Sequence, residues 1–181
     1  AFCLALEVAG PEVVASRVGV EPSGDPFNAI VFCPQTNRPF NPMVNAGAIA
    51  IAGILHEHLG EGAYDFMLER FSAAAHRKLG LNEAVYLSEH ETGHRNRAIG
   101  HLLLASDAIA VPPDAALDLY FHQCSIEICA LDLAWMGATF ANMGTHPVSR
   151  EAAFDIAAVR STLAVMFTCG MYDYAGHWAY D

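Results

Sequence analysis

Ala46-Gly47-Ala48-Ile49-Ala50-Ile51-Ala52-Gly53-Ile54-Leu55-His56-Glu57-His58-Leu59 is the stretch whose reading decides the fold. It reads as a helix that is apolar nearly all round, and such a helix must be buried on more than one side. The apolar run is too short for a membrane span, which needs about 18 to 20 residues, and it stops at His56-Glu57-His58. The expectation is a helix buried on more than one side, and no partnership with a membrane.

Glycine and proline divide the rest of the chain. Before the central helix, Phe2 to Ala9 reads as helix, and Gly10-Pro11 opens a second, short one that ends near Gly19. Glu21-Pro22-Ser23-Gly24-Asp25-Pro26 cannot continue a helix and reads as loop. Ala29 to Cys33 suggests a short strand, Pro34 to Asn37 a turn, and the Asn41-Pro42 step ends that region. After the central helix, Ala63 to Leu79 places Tyr64, Met67, Leu68 and Phe71 on one face, with Gly80 as the stop. Ser88 to Asn96 reads as a polar segment leading into a helix from Arg95 to Leu104. Pro112-Pro113 breaks the chain, and Asp114 starts a helix carrying Leu117, Tyr120 and Phe121. Cys129 to Asn142 is an apolar helix closed by Gly144, Ser149 caps a short helix, and Ala157 to Thr168 ends at Gly170. His177 to Tyr180 alone looks strand-like.

The sum is one mainly α domain over residues 1–181, with almost no sheet of its own. Hydrophobic residues make up 54% and charged ones 16%, too apolar for a disordered chain. So much apolar surface has to pack on something, and both ends read as cut. No N-cap precedes the helix that starts the chain, and Tyr180-Asp181 carries no stop signal. The formal charge is −11, and the nine basic residues, with Lys78 the sole lysine, are scattered. A phosphate backbone needs them clustered, which argues against a nucleic-acid partner. The five cysteines form no Cys-x-x-Cys pair and read as reduced thiols, which favours a reducing, cytoplasmic compartment.

His90-Glu91-Thr92-Gly93-His94 fits H-E-x-x-H, the pattern of a zinc metallopeptidase with the glutamate as general base. The pattern requires one helix, and Thr92-Gly93 is poor helix material. Arg97 and Gly100 stand where an extended zinc motif needs Gly and His, and His101 falls one residue late. His56 and His58 do not share a helical face. We therefore expect no metal and no other cofactor. No serine lies in G-x-S-x-G, and Ala75 stands three residues before Lys78, so the chain holds no Ser-x-x-Lys pair.

What remains are polar groups between apolar helices: Ser23, Asn45, Glu89, Asn96, Tyr120 and Tyr172. Each has an ordinary reading. Asn45 can cap the central helix, Glu89 and Asn96 can be surface residues, and the tyrosines can be core aromatics. Together, amides, a carboxylate and phenols suit recognition of a zwitterionic amino acid, either in an enzyme or in a non-catalytic binding module.

These residues sit in longer strings: Val18 to Asn28, Asn41-Pro42-Met43-Val44-Asn45-Ala46-Gly47-Ala48, Ser88-Glu89 through Arg95-Asn96, Tyr120-Phe121-His122-Gln123-Cys124-Ser125, and Cys169-Gly170-Met171-Tyr172-Asp173. In this order they resemble the serine-dependent glutaminases. The resemblance implies the helical subdomain of a β-lactamase/transpeptidase-like α+β fold, with most of the sheet missing. It implies hydrolysis of L-glutamine to L-glutamate and ammonia, without metal, by a Ser-Lys pair that lies outside this chain. It assigns Asn45, Glu89 and Asn96 to the substrate's α-amino and α-carboxylate groups. Tyr120 and Tyr172 are assigned to the substrate site and to catalysis beside the nucleophile. A homodimer or homotetramer is implied for the full-length protein. The sequence departs from the family at His94, where aspartate is usual, and at Met143, where glycine is common.

Overall fold

Ile49, Ala50, Ile51, Ala52, Ile54 and Leu55 are wholly shielded from solvent. The computed structural model, which describes residues 1–181, accordingly has the helix that carries them at its centre. This helix, α3 (Asn45–Leu59), is reached from α1 (Phe2–Ala9) and α2 (Pro11–Arg17). It packs against both, and against α4 (Ala63–Ala75), α6 (His94–Ala105) and α7 (Pro113–Cys124). Gly53 permits the close approach on one side, since a Cβ there would stand 2.7 Å from the Ile109 side chain. Burial on all sides is what the unbroken apolar run requires.

Around this centre lie α5 (Glu83–Thr92), α8 (Ala130–Ala141), α9 (Ile156–Cys169) and α10 (Ala175–Tyr180). Two 3-10 turns, Gly60–Gly62 and Tyr172–Tyr174, complete the helical elements. The only sheet is one antiparallel pair, β1 (Gly80–Leu81) with β2 (Ile126–Glu127), in which Gly80 faces Glu127 and Leu81 faces Ile126. The mainly α expectation is met. No helix is long and apolar enough to cross a membrane.

Five local expectations are corrected. Ala29 to Cys33 is not a strand: Cys33 N–H donates to Arg38 O and Asn37 N–H to Cys33 O, closing a loop with no partner strand. The helix from Ala63 ends at Ala75 rather than Leu79, because His76 takes the left-handed conformation (φ 52°) and caps it. Residues 145–152 do not form a helix at Ser149 but a loop closed by a Thr145–Ala152 bridge. His177 to Tyr180 is helical, within α10. The Ser88 to Asn96 segment is also not plain polar loop. Asn82 caps α5 by accepting Val85 N–H at 3.1 Å, and the helix runs through Thr92.

A side chain explains one of these departures. His146, fully buried, fills the 145–152 loop with its ring stacked on His76 (4.7 Å) and tilted against Trp135 (5.0 Å). Its Nδ1 accepts Ser149 N–H at 3.1 Å, so Ser149 serves the imidazole rather than a helix. Met143 adopts φ 56°, a conformation that glycine reaches without steric cost. Elsewhere Glu7 joins three parts of the chain. Its carboxylate pairs with Arg70 and accepts Asp155 N–H at 2.9 Å, while Arg70 Nε donates to Ala153 O.

Candidate functional site

The first turn of α3 is where site and fold meet. Asn45 is not the N-cap; Val44 holds that position and Asn45 is the first helical residue. Its backbone N–H, one of the four that a helix start leaves without an internal partner, donates to Phe27 O at 2.9 Å. Its side chain is therefore free for another use, and Nδ2 donates to Asn96 Oδ1 at 3.1 Å. Asn41, almost fully buried, fastens the incoming loop by donating to Glu21 O and accepting Met43 N–H. A Cβ at Gly47 would lie 1.9 Å from Asn41 O, so the Asn41 to Gly47 string is required by backbone contact.

Asn96 sits in the first turn of α6, and the neighbouring Arg95 donates to Asn28 O at 2.9 Å. Two carbonyls of one loop, those of Phe27 and Asn28, thus receive donors from the two helices that supply the paired amides. Ser23 does not join them; its hydroxyl accepts Asp25 N–H at 3.2 Å within its own turn.

The second group gathers on α5, α7 and the turn after α9. Glu89 is half-buried on α5. Tyr120, on α7, is only 8% exposed. Burial pushes its phenol well above the ordinary value, and Cys124, Glu89 and Tyr172 push it further the same way. The result is a phenol that stays protonated and can donate. Tyr172 sits at φ 53°, and its ring lies 5.4 Å from that of Phe27. Phe27 therefore spans both groups, with its carbonyl on Asn45 and its ring on Tyr172.

All five predicted residues fall in these two groups. Sequence reading missed Phe27, and it also missed Tyr86, Asp118 and His122, which lie beside Glu89 and Tyr120 along α5 and α7. The available signal was helical spacing: Tyr86 stands three residues before Glu89, and Asp118 and His122, four apart, share one face of α7.

The H-E-x-x-H pattern does not form one helical face. α5 ends at Thr92 and α6 begins at His94, with Gly93 between them. Gly93 is held there because a Cβ would meet Phe121 and Glu89 O, each at 2.6 Å. His90 packs against the rings of Tyr86 and Phe121. No three His, Cys, Asp or Glu side chains come together as a ligand set.

Fold and site define a mainly helical chain with polar side chains gathered between its helices, and comparison with known proteins gives its family. Residues 1–181 match the Glutaminase family. Glutaminase 2 of Bradyrhizobium diazoefficiens is 50% identical over 179 residues, covering 99% of this chain and 28% of that protein. The glutaminase of a Nostoc species is 46% identical over 183 residues, covering 99% of this chain and 54% of that protein. The crystal structure of the probable glutaminase of Bacillus subtilis superimposes with a TM-score of 0.92 at 34% identity, covering 99% of this chain and 58% of that one. The chain belongs to the glutaminase family, and it spans about half or less of the length of these relatives.

Proposed function

We propose that the protein carrying this chain hydrolyses the side-chain amide of L-glutamine to L-glutamate and ammonia. The family match across residues 1–181 is the observation that carries this reading. The nucleophilic serine and its lysine are assigned outside these residues, since Lys78, the only lysine, has Ala75 three positions before it.

The residues present then divide the work. The Glu89 carboxylate faces the substrate's α-ammonium. One bond joins the Asn45 and Asn96 amides, which leaves a second Asn45 N–H and both Asn96 N–H groups to hold the α-carboxylate. With both ends of the zwitterion fixed, the side-chain amide is delivered to the nucleophile. The serine oxygen bonds to the amide carbon, and Tyr120, kept protonated by its surroundings, relays a proton to the departing nitrogen, which leaves as ammonia. Water then cleaves the acyl-enzyme to L-glutamate. Tyr172 lines the same pocket. The reaction needs no cofactor, the compartment proposed is the cytoplasm, and the working assembly is a homodimer or homotetramer.

Ammonia release from L-glutamine by the full-length protein tests the reading. Glu89→Gln should lower kcat/KM about 10- to 100-fold, mostly through KM, as expected for loss of a charge-assisted contact. Absence of glutamine turnover by the unmodified protein would reject the proposal.

A further inference from the structure

α5 carries Glu89, yet none of its residues is fully buried, and Val85 and Leu87 face solvent at 42% and 55% exposure. A helix with no fully buried residue, whose contact with the core is the part-buried Tyr86, is placed only weakly by hydrophobic packing, so polar ties must help set where Glu89 stands. Its start is held by β1–β2 and by Asn82 N–H donating to Ser125 O at 2.8 Å. Its end is held by Arg97, which donates to His90 O.

Between these ends the tie to α7 runs through Tyr86, one turn before Glu89. The Tyr86 hydroxyl donates to Asp118 Oδ1 at 2.5 Å, and its ring lies 4.1 Å from that of His122. Tyr64 of α4 meets the same imidazole at 4.8 Å. His122 Nδ1 lies 2.9 Å from Asp118 O, an atom that can only accept, so Nδ1 carries the proton; Asp118 Oδ2 is 3.3 Å away. The Tyr86 phenol is pushed up to about 12, chiefly by its hydrogen bond to Asp118, and remains a donor at working pH. Asp118 and His122 share one face of α7, with Tyr120 two residues from each and so on another face; the cluster ties α5, which bears the proposed ammonium partner, to the helix body that bears the proposed proton relay.

We propose that Tyr86 and Asp118 are positioning residues: their hydrogen bond, seated on His122, sets the place of Glu89 relative to Tyr120 and so tunes recognition of the substrate's α-ammonium. The inference rests on the proposed function for its kinetic consequence. Its structural consequence, order in the middle of α5, can be measured without any activity.

The test uses the full-length protein with Tyr86→Phe, Asp118→Ala, the double variant and Asp118→Asn, with exposed Leu87→Ala as control. Substrates are L-glutamine and 4-carbamoylbutanoate, which is glutamine without its α-amine. Tyr86→Phe and Asp118→Ala should each raise KM for L-glutamine about 5- to 10-fold, the range of one lost hydrogen bond, with kcat within about twofold. The double variant should be no worse than the poorer single, Asp118→Asn should recover most of the loss because it keeps an acceptor, and Leu87→Ala should change nothing. For 4-carbamoylbutanoate, KM should match that of the unmodified protein. Amide hydrogen exchange in residues 86–90 should quicken about 10-fold in Tyr86→Phe, while α3 stays unchanged. Unaltered KM for L-glutamine, equal shifts for both substrates, or unaltered exchange in α5 would overturn the inference. If the unmodified protein does not turn over glutamine, the proposed function falls and the exchange result alone decides this one.

Discussion

Asn45 and Glu89 are carried by helices built on opposite terms. α3 buries nine residues, from Ala46 to Leu55, and is gripped by five other helices. α5 buries none and is held by a capping asparagine, a two-residue strand pair and a few polar or aromatic ties. Both deliver a side chain to the same proposed site. A site residue can thus be placed by the core, where close packing allows one position, or by side-chain ties over a surface helix, where each tie is worth little and the set must act together. The first arrangement is rigid. The second can be tuned residue by residue.

The sharpest break of this contrast is Gly47→Ala. The new methyl would fall 1.9 Å from Asn41 O, a backbone atom that cannot swing aside. We expect roughly 3 kcal/mol or more of lost stability by denaturant unfolding, although only one methyl is added. A shift below about 1 kcal/mol would show the α3 entry to be looser than its packing implies. Next, Asn82→Ala removes the α5 cap and should cost about 1 kcal/mol locally. It should appear as faster exchange in α5 with little change in the global unfolding midpoint, and an equal change in α3 would mean that the two helices open as one unit.

The smallest expected effect is a gradual one with pH. His146 is buried, and its Nδ1 already accepts Ser149 N–H, so protonation must break that bond. Burial first, and then the neighbouring His76, hold its pKa below the ordinary histidine value of 6.5. Below pH 6.5 the unfolded chain takes up this proton while the folded one resists it, so stability declines as pH falls from there towards the folded pKa. Amide exchange in α3, the most buried helix, should report that decline. His146→Gln should flatten the slope, and an unchanged slope would remove His146 as its source.

Legibility followed burial. The helices α1, α3, α4, α7 and α9 were readable because burial leaves a period in the sequence, whereas α8 was readable from its apolar composition although only Asp132 and Thr139 of it are buried. α5 was missed because none of its residues is fully buried, and its residues 88–92 look like polar loop. The loop around His146 was misread for a different reason: its organising side chain is buried against His76, distant in sequence, and Trp135, and no local period records that. Among site residues, the types were visible as amides, a carboxylate and phenols between apolar helices. The partner of Asn45 was not, because Asn96 lies 51 residues away.

The sequence by itself determined a mainly α chain with one helix buried on more than one side, a lack of Ser-x-x-Lys, and the ordered strings that lead to the glutaminase family. Those are consequences of composition and short-range pattern, which a linear chain states directly. Only the tertiary structure decided that Asn45 turns to Asn96 rather than capping its own helix, that Gly93 splits His90 from His94, and that Tyr86 fastens Glu89 to α7. Each of these depends on which distant atom completes a hydrogen bond or fills a contact, and that choice is settled only when the helices pack.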